Sequence, residues 1–297
     1  MDNKVYNIAA IDIGSNAARI LIKQVENTED GIRMKKLQFL RIPLRLGMDV
    51  FSEGKIGYER EKMLVRTMKI FRQLLIIYNV EIYKIYATSA FRDAKNGKSI
   101  LNDIKDRTGL EITIISGEEE ARIIHDNFYA DGNLLYVDVG GGSTELSLVC
   151  DGEIIESRSI NIGTLRLLND TVNPQKWQDM MDEVKEITHG VDNLQIVGSG
   201  GNINKLVRLA NENDKKKNTL SVETLSMLYT KLINLTIRER MITYDLRESR
   251  ADVIVPAAQI FLIIAGLVHA NTIIVPNVGL ADGMINMMAE SLFENNN

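Results

Sequence analysis

Apolar positions in this chain come as short runs and alternations in some stretches and at helical spacings in others, and the two kinds succeed one another from end to end. Residues 5–13 form an apolar run, the Gly14-Ser15-Asn16 turn breaks it, and Ile20 and Ile22 alternate with other positions beyond it. That pattern predicts a strand, a tight turn and a second strand. Residues 32–46 read as one or two further strands. Residues 58–78 carry Met63, Met68, Phe71, Leu74, Leu75 and Tyr78 on or near one helical face. A strand is expected over 82–88, a helix from Ser89 to near Gly109, a strand over 111–116 and a helix from Gly117 to about residue 130. Residues 134–162 predict three strands, 174–193 a helix with Pro174 in its first turn, and 195–197 a strand entering the turn Gly198-Ser-Gly-Gly-Asn202. A helix follows over 203–211. Lys215, Lys216 and Lys217 fall in a polar loop and read as a solvated face. Helices are expected up to residue 270, then a strand over 273–275, and Gly279-Leu-Ala-Asp-Gly283 opens the last helix.

The richest stretch is Asp138-Val-Gly-Gly-Gly-Ser-Thr-Glu145, between an apolar run and a strand with Leu146, Leu148 and Cys150 on alternate positions. Gly140, Gly141 and Gly142 lack Cβ atoms, so their amides can converge on an anion, as in a phosphate cradle. Asp138 ends the first strand, where a carboxylate can hold Mg²⁺ directly or through water. Taken alone, the segment reads sooner as a glycine-rich hairpin with an Asx turn. The second copy around Asp12 and Gly14 favours the cradle. Two strand-Asp-turn-strand units predict two similar lobes facing a cleft, with both turns gripping one phosphate chain. Strands alternating with helices make each an α/β lobe with a mixed sheet flanked by helices. The boundary is expected to give lobes of residues 1–125 and 126–297, with the last helix crossing back to the first.

Composition narrows the chemistry. The chain has 297 residues, 45% of them hydrophobic, enough for a core in each of two domains. One Cys and three His exclude a disulfide framework or a His-rich metal cluster. Glu156 stands where a tyrosine-phosphatase loop starting at Cys150 needs Arg, and Gly14 stands where an aspartyl-phosphate phosphatase needs a second Asp after Asp12. The start of the chain lacks a basic, cleavable leader. The apolar run over 253–270 contains Pro256 and Gln259 and reads as a buried helix, not a membrane span. A cytoplasmic protein is expected, with a frayed polar tail at 294–297. The net charge of −5 gives no general field for nucleic acid, so an anionic substrate needs a local site.

The order of Asp12, Asp138, the Gly198 turn and the late Gly-Leu-Ala-Asp-Gly segment resembles the actin, hexokinase and sugar kinase superfold. Ala10-Ile-Asp-Ile-Gly-Ser-Asn16 with Arg19, Thr88-Ser-Ala-Phe-Arg92-Asp-Ala94, Ile115-Ser-Gly-Glu-Glu-Glu-Ala-Arg122 and Val137-Asp-Val-Gly-Gly-Gly-Ser-Thr-Glu145 are similar to successive motifs of the exopolyphosphatase and guanosine pentaphosphate phosphohydrolase family, Ppx/GppA. The resemblance implies a ribonuclease-H-like, actin-type fold in each lobe. It also implies Mg²⁺-dependent release of the terminal phosphate of polyphosphate or guanosine pentaphosphate, and a possible homodimer with neither nucleic acid nor membrane as partner. By the same resemblance Glu120 is the catalytic base and Asp12, Asp138 and Glu145 are acids on the metal side. Gly14, Ser15, Asn16, Arg19, Arg92, Gly140, Gly141, Gly142 and Ser143 contact phosphate, and Arg166 also matches a family position. Longer members carry a further C-terminal helical domain that these residues do not include, and the late motif that commonly reads Leu-Arg-Glu-Gly in the family is Leu280-Ala-Asp-Gly283 here. Both departures leave the preferred polyphosphate length open.

Local chemistry reads beside this. Ser116-Gly-Glu-Glu119 fits a capping box, which commits Glu119 to the helix end and leaves Glu120 for chemistry. Arg92 follows a parallel strand, where a guanidinium can clamp phosphate; otherwise it is a solvated charge. Arg19 and Arg166 read equally as phosphate contacts or packing. Two rival functions remain: a phosphotransferase of the same superfold, favoured by the Gly198 turn, and a nucleotide or alarmone sensor that binds without hydrolysis.

Overall fold

The computed structural model describes residues 4–125, 132–211, 218–276 and 278–294. Its contacts divide the chain into one unit of Met1–Ser116 with Leu280–Asn297 and a second of Gly117–Gly279. The expected lobes met after residue 125. The division falls earlier because the helix that begins at Gly117 packs on strands of the second unit. The lysine loop at 215–217, the end of the expected helix at 126–130 and residues 295–297 of the polar tail lie outside the described residues.

In the first unit, β1 (Val5–Ile13), β2 (Ala18–Thr28) and β3 (Gly31–Ile42) form an antiparallel meander. β4 (Ile82–Ala87) and β5 (Thr113–Ile114) extend it in parallel, giving the order β3-β2-β1-β4-β5. The helices are α1 (Leu46–Glu53), α2 (Tyr58–Ile77), α3 (Ser89–Asp93) and α4 (Gly97–Thr108).

The second unit opens with α5 (Gly117–His125) and repeats the sheet plan. β6 (Leu134–Val139), β7 (Thr144–Cys150) and β8 (Glu153–Ile160) form the antiparallel meander. β9 (Gln195–Ser199) runs parallel to β6, and β11 (Thr272–Ile274) parallel to β9, with β10 (Thr219–Ser221) antiparallel at the edge. The sheet order is β10-β11-β9-β6-β7-β8. Its helices are α6 (Thr164–Leu168), α7 (Pro174–Ile187), α8 (Gly200–Ala210), α9 (Val222–Ile233), α10 (Ile237–Thr243), α11 (Glu248–Ala251) and α12 (Ile254–Leu267). The last helix, α13 (Leu280–Glu294), lies on β1, β2 and β4 of the first unit.

The period of two along β6 and β7 sorts the second sheet's faces. Leu135, Val137, Val139, Leu146 and Leu148 join α7, α8 and α12 in the main core, whereas Leu134, Tyr136, Val149 and Val197 pack together on the other face. α5 covers that other face: Gly117 abuts Ser159 of β8, and the His125 ring meets the Tyr136 ring edge to face with centroids 5.1 Å apart. The stretch Glu248–Leu267 is long and apolar enough to cross a membrane, but 61% of its most apolar window is buried. It packs on helices α6 to α9, as a core helix does.

Several boundaries differ from expectation, and the helix expected from Ser89 to near Gly109 is broken into α3 and α4. Residues 46–53 are helical where the strand run was extended to 46: Arg45 takes a left-handed conformation (φ 54°), ending the extended path, and Leu46, Val50 and Phe51 then recur at helical spacing into the core. α7 stops at Ile187, short of residue 193. α8 begins at Gly200, so the third glycine turn is its first turn.

Candidate functional site

The glycine turn at residues 140–143 is held from behind. Gly140 N donates to Ser143 O at 2.9 Å, closing the hairpin between β6 and β7. The Gly140 and Gly141 carbonyls accept from Thr164 N at 3.0 Å and Leu165 N at 2.8 Å, and the Gly142 carbonyl accepts from Arg166 Nε at 2.6 Å. With its carbonyls drawn to the start of α6, the turn keeps its amide side for another partner. Among the described residues no backbone acceptor takes the Gly141 or Gly142 amide. A Cβ on Gly163 would stand 2.6 Å from the backbone of Gly141 and Gly142, so only glycine lets α6 come this close. Arg166, read from the sequence as either phosphate contact or packing, therefore supports the back of the cradle.

The register puts a row of polar residues across the carboxyl end of this sheet. Ser199 pairs with Asp138, Asp138 with Glu145 and Glu145 with Ser159. Directly paired residues share a face with Cβ atoms about 5 Å apart. Ligands of open α/β sheets gather at this end. Glu145 is 3% exposed, and its Oε1 accepts from Ser143 Oγ at 2.5 Å and Ser159 Oγ at 3.1 Å. Asp138 is half-buried, and a Cβ on Gly200 (φ +90°) would overlap its Oδ1, so the first turn of α8 lies against the carboxylate. Ser199 is 3% exposed, and among the described residues its Oγ has no hydrogen-bond partner. Glu120 is half-buried on α5, one turn on from Gly117.

In the first unit the equivalent turn has a different electrostatic partner. Asp12, 3% exposed, pairs across the strands with Arg19, and the two side chains form an ion pair. Gly14 N donates to Ala17 O at 3.0 Å, Gly47 N to Ser15 O at 2.9 Å and Arg45 N to Asn16 O at 2.9 Å, which fastens the turn to the start of α1. The Ser15 and Ser89 hydroxyls bond each other at 2.7 Å. Arg92 on α3 donates from Nη1 to the Ile115 carbonyl at 3.0 Å, so the proposed clamp also holds the end of β5.

The expected metal-side acids fall in both units. Among the described residues no group of three or more His, Cys, Asp or Glu side chains could hold a metal ion. Asp12 belongs to the first unit and is neutralised by Arg19, whereas Asp138 and Glu145 belong to the second. The Ser15 hydroxyl meets the Ser89 hydroxyl of α3, and the Ser143 hydroxyl donates to Glu145. Sequence reasoning missed Ser159 and Gly163 and gave Gly117 and Ser199 no role of their own beyond the motif and turn that contain them. The one local sign of any of them was a glycine beside a recognised motif.

A family model for the Ppx/GppA phosphatase family matches residues 22–292. A bifunctional 3-dehydroquinate synthase/phosphatase of Fusobacterium nucleatum is 34% identical over 168 residues, which is 54% of this chain and 25% of that protein. Exopolyphosphatase 1 of Mycobacterium tuberculosis is 30% identical over 165 residues, 54% of this chain and 47% of that protein. These alignments thus span a quarter to about half of the relatives' length. The crystal structure of an exopolyphosphatase from Cytophaga hutchinsonii superposes with a TM-score of 0.82 at 25% identity, covering 96% of this chain and 98% of that one. With the family match running over residues 22–292 and the fold shared over almost its whole length, the chain belongs to the Ppx/GppA phosphatase family.

Proposed function

We propose that the protein is a Mg²⁺-dependent phosphoanhydride hydrolase that releases terminal orthophosphate from inorganic polyphosphate, guanosine pentaphosphate or both. The observation that carries this reading is the Asp138–Glu145 pair flanking the glycine turn, with Glu120 on the helix seated over the same face. The likeness to exopolyphosphatases supports it.

Phosphoryl transfer asks a protein mainly for positioning and charge neutralisation. The Gly141 and Gly142 amides would bind oxygens of the terminal phosphoryl group. Glu120 would orient a water and take its proton as the water oxygen attacks phosphorus. The anhydride P–O bond breaks, and the shortened chain leaves with its electron pair as a phosphate oxyanion. Mg²⁺ suits a site with one or two carboxylates because it keeps several waters and shares substrate phosphates. Asp138 fits that part better than Glu145, whose Oε1 already accepts two hydroxyls, or Asp12, which Arg19 neutralises. When bound, the ion offsets charge building on the phosphate oxygens.

Purified protein with Mg²⁺ is expected to release orthophosphate from at least one of short polyphosphate, long polyphosphate and guanosine pentaphosphate assayed side by side. Glu120→Gln is expected to slow that release by about 10²-fold or more. Undiminished turnover in this variant would remove Glu120 as the base. A phosphorylated acceptor in place of orthophosphate would favour the phosphotransferase, and tight binding without release the sensor.

A further inference from the structure

We infer that Gly117 and Ser159 are positioning residues that fix where Glu120 stands over the second sheet, an inference that rests on Glu120 being the base. α5 touches the sheet at its first residue. An added Cβ on Gly117 would overlap both Cβ and Oγ of Ser159 and lie 3.6 Å from Glu145 Oε1. The obstructing Cβ is fixed to strand backbone, so it cannot swing aside as the tip of a long side chain would. Ser159 Oγ donates to Glu145 Oε1, the oxygen that also accepts from Ser143 of the glycine turn. One contact series, Gly117 to Ser159 to Glu145 to Ser143, therefore links the seat of the helix to the cradle. At the other end of α5, His125 rests against Tyr136 of the same face.

Glu120 follows Gly117 by three residues, so it lies one turn away on a neighbouring helical position. Lifting the first turn of α5 displaces Glu120 while the glycine turn stays closed by its own bonds to α6. Base and cradle are then out of register, although the groups that bind phosphate are unchanged. A misplacement on the order of 1 Å costs about 10²-fold in rate.

The test is a set of purified full-length variants: Gly117→Ala, Ser159→Gly, the two combined, and Glu120→Gln. Phosphate release is followed with Mg²⁺ on short polyphosphate and guanosine pentaphosphate in parallel. Gly117→Ala is expected to lower kcat by about 10²-fold and to leave KM within about twofold, the signature of a loss at the chemical step. Ser159→Gly removes the two atoms that the new methyl would strike, so the double variant is expected to recover the kcat of Ser159→Gly. A defect that does not run through this contact would add in the double variant, not cancel, and a loss of stability alone would not give the kcat-against-KM split. If Gly117→Ala does not fold, Ser159→Thr crowds the same contact from the strand side and is expected to give the same split. Parental kcat in folded Gly117→Ala or Ser159→Thr, with Glu120→Gln inactive, overturns the inference alone. So does a double variant as slow as Gly117→Ala. Parental kcat in Glu120→Gln overturns the underlying reading of the base.

Discussion

At Gly163 the absence of a single methyl decides whether the backbone of α6 can reach the glycine turn. A Cβ there would meet Gly141 and Gly142 backbone atoms, which cannot yield as a side-chain tip does. Gly163→Ala is expected to cost about 1–3 kcal/mol, read from denaturant unfolding, and to weaken substrate binding as the Gly140 to Gly142 carbonyls lose their partners. Glu145 makes the converse point. It was expected on the metal side, yet two hydroxyls donate to it in a buried place. Glu145→Ala is therefore expected to lower stability by about 2–3 kcal/mol even in Mg²⁺-free buffer. An unchanged unfolding midpoint would show that those hydroxyls have other partners. Asp138, Glu145 and the glycine triplet were legible because turn chemistry is written in adjacent residues. Ser159 was not, since a serine on an edge strand reads as ordinary surface until α5 is laid over it.

The elements divide between those their own sequence defines and those that need neighbours. α12 is apolar on nearly every side and fills the centre of the second unit, with Ile254, Ala258, Phe261 and Ile264 fully buried. Phe261→Ala is expected to cost about 3–5 kcal/mol, measured by equilibrium unfolding. α10 is defined locally. Thr236 Oγ1 accepts from Glu239 N, and Glu239 Oε2 accepts from Thr236 N at 2.7 Å, a complete capping box. The Thr236 amide, then its hydroxyl, holds the Glu239 carboxyl below its ordinary value. A depressed carboxyl contributes stability that is present above its unfolded pKa, about 4.3, and lost as pH falls through the lower folded value. The Thr236 amide resonance should titrate in that acid range, and Glu239→Gln should abolish the transition. α1 was misread because the apolar run before it suits a strand; the left-handed Arg45 that turns the chain leaves no mark in hydrophobic period.

Across the whole molecule the chain begins the first unit, builds the second and returns to the first with α13. Met284 and Ile285 of that helix are fully buried, Tyr6 and Phe293 meet edge to face at 6.0 Å, and Lys23 pairs with Asp282 at 2.8 Å. Ala281, where the family motif commonly carries Arg, is itself buried, and a guanidinium there would need a partner in the core. Met284→Ala is expected to destabilise the first unit by about 2–5 kcal/mol. Hydrogen exchange should then quicken in β1 and β2 while β6 and β9 keep their protection, and uniform quickening would mean that the two units unfold together. The sequence by itself determined most strands and helices, the glycine turns and the repeat that relates the two sheets, because period, glycine and capping residues act over a few neighbouring positions. Only the tertiary structure decided that Asp12 faces Arg19 while Asp138 faces Glu145, and that α5 seats on Ser159. Those outcomes depend on which surfaces exclude water and overlap in space, and residues tens to hundreds of positions apart carry no local signal of meeting.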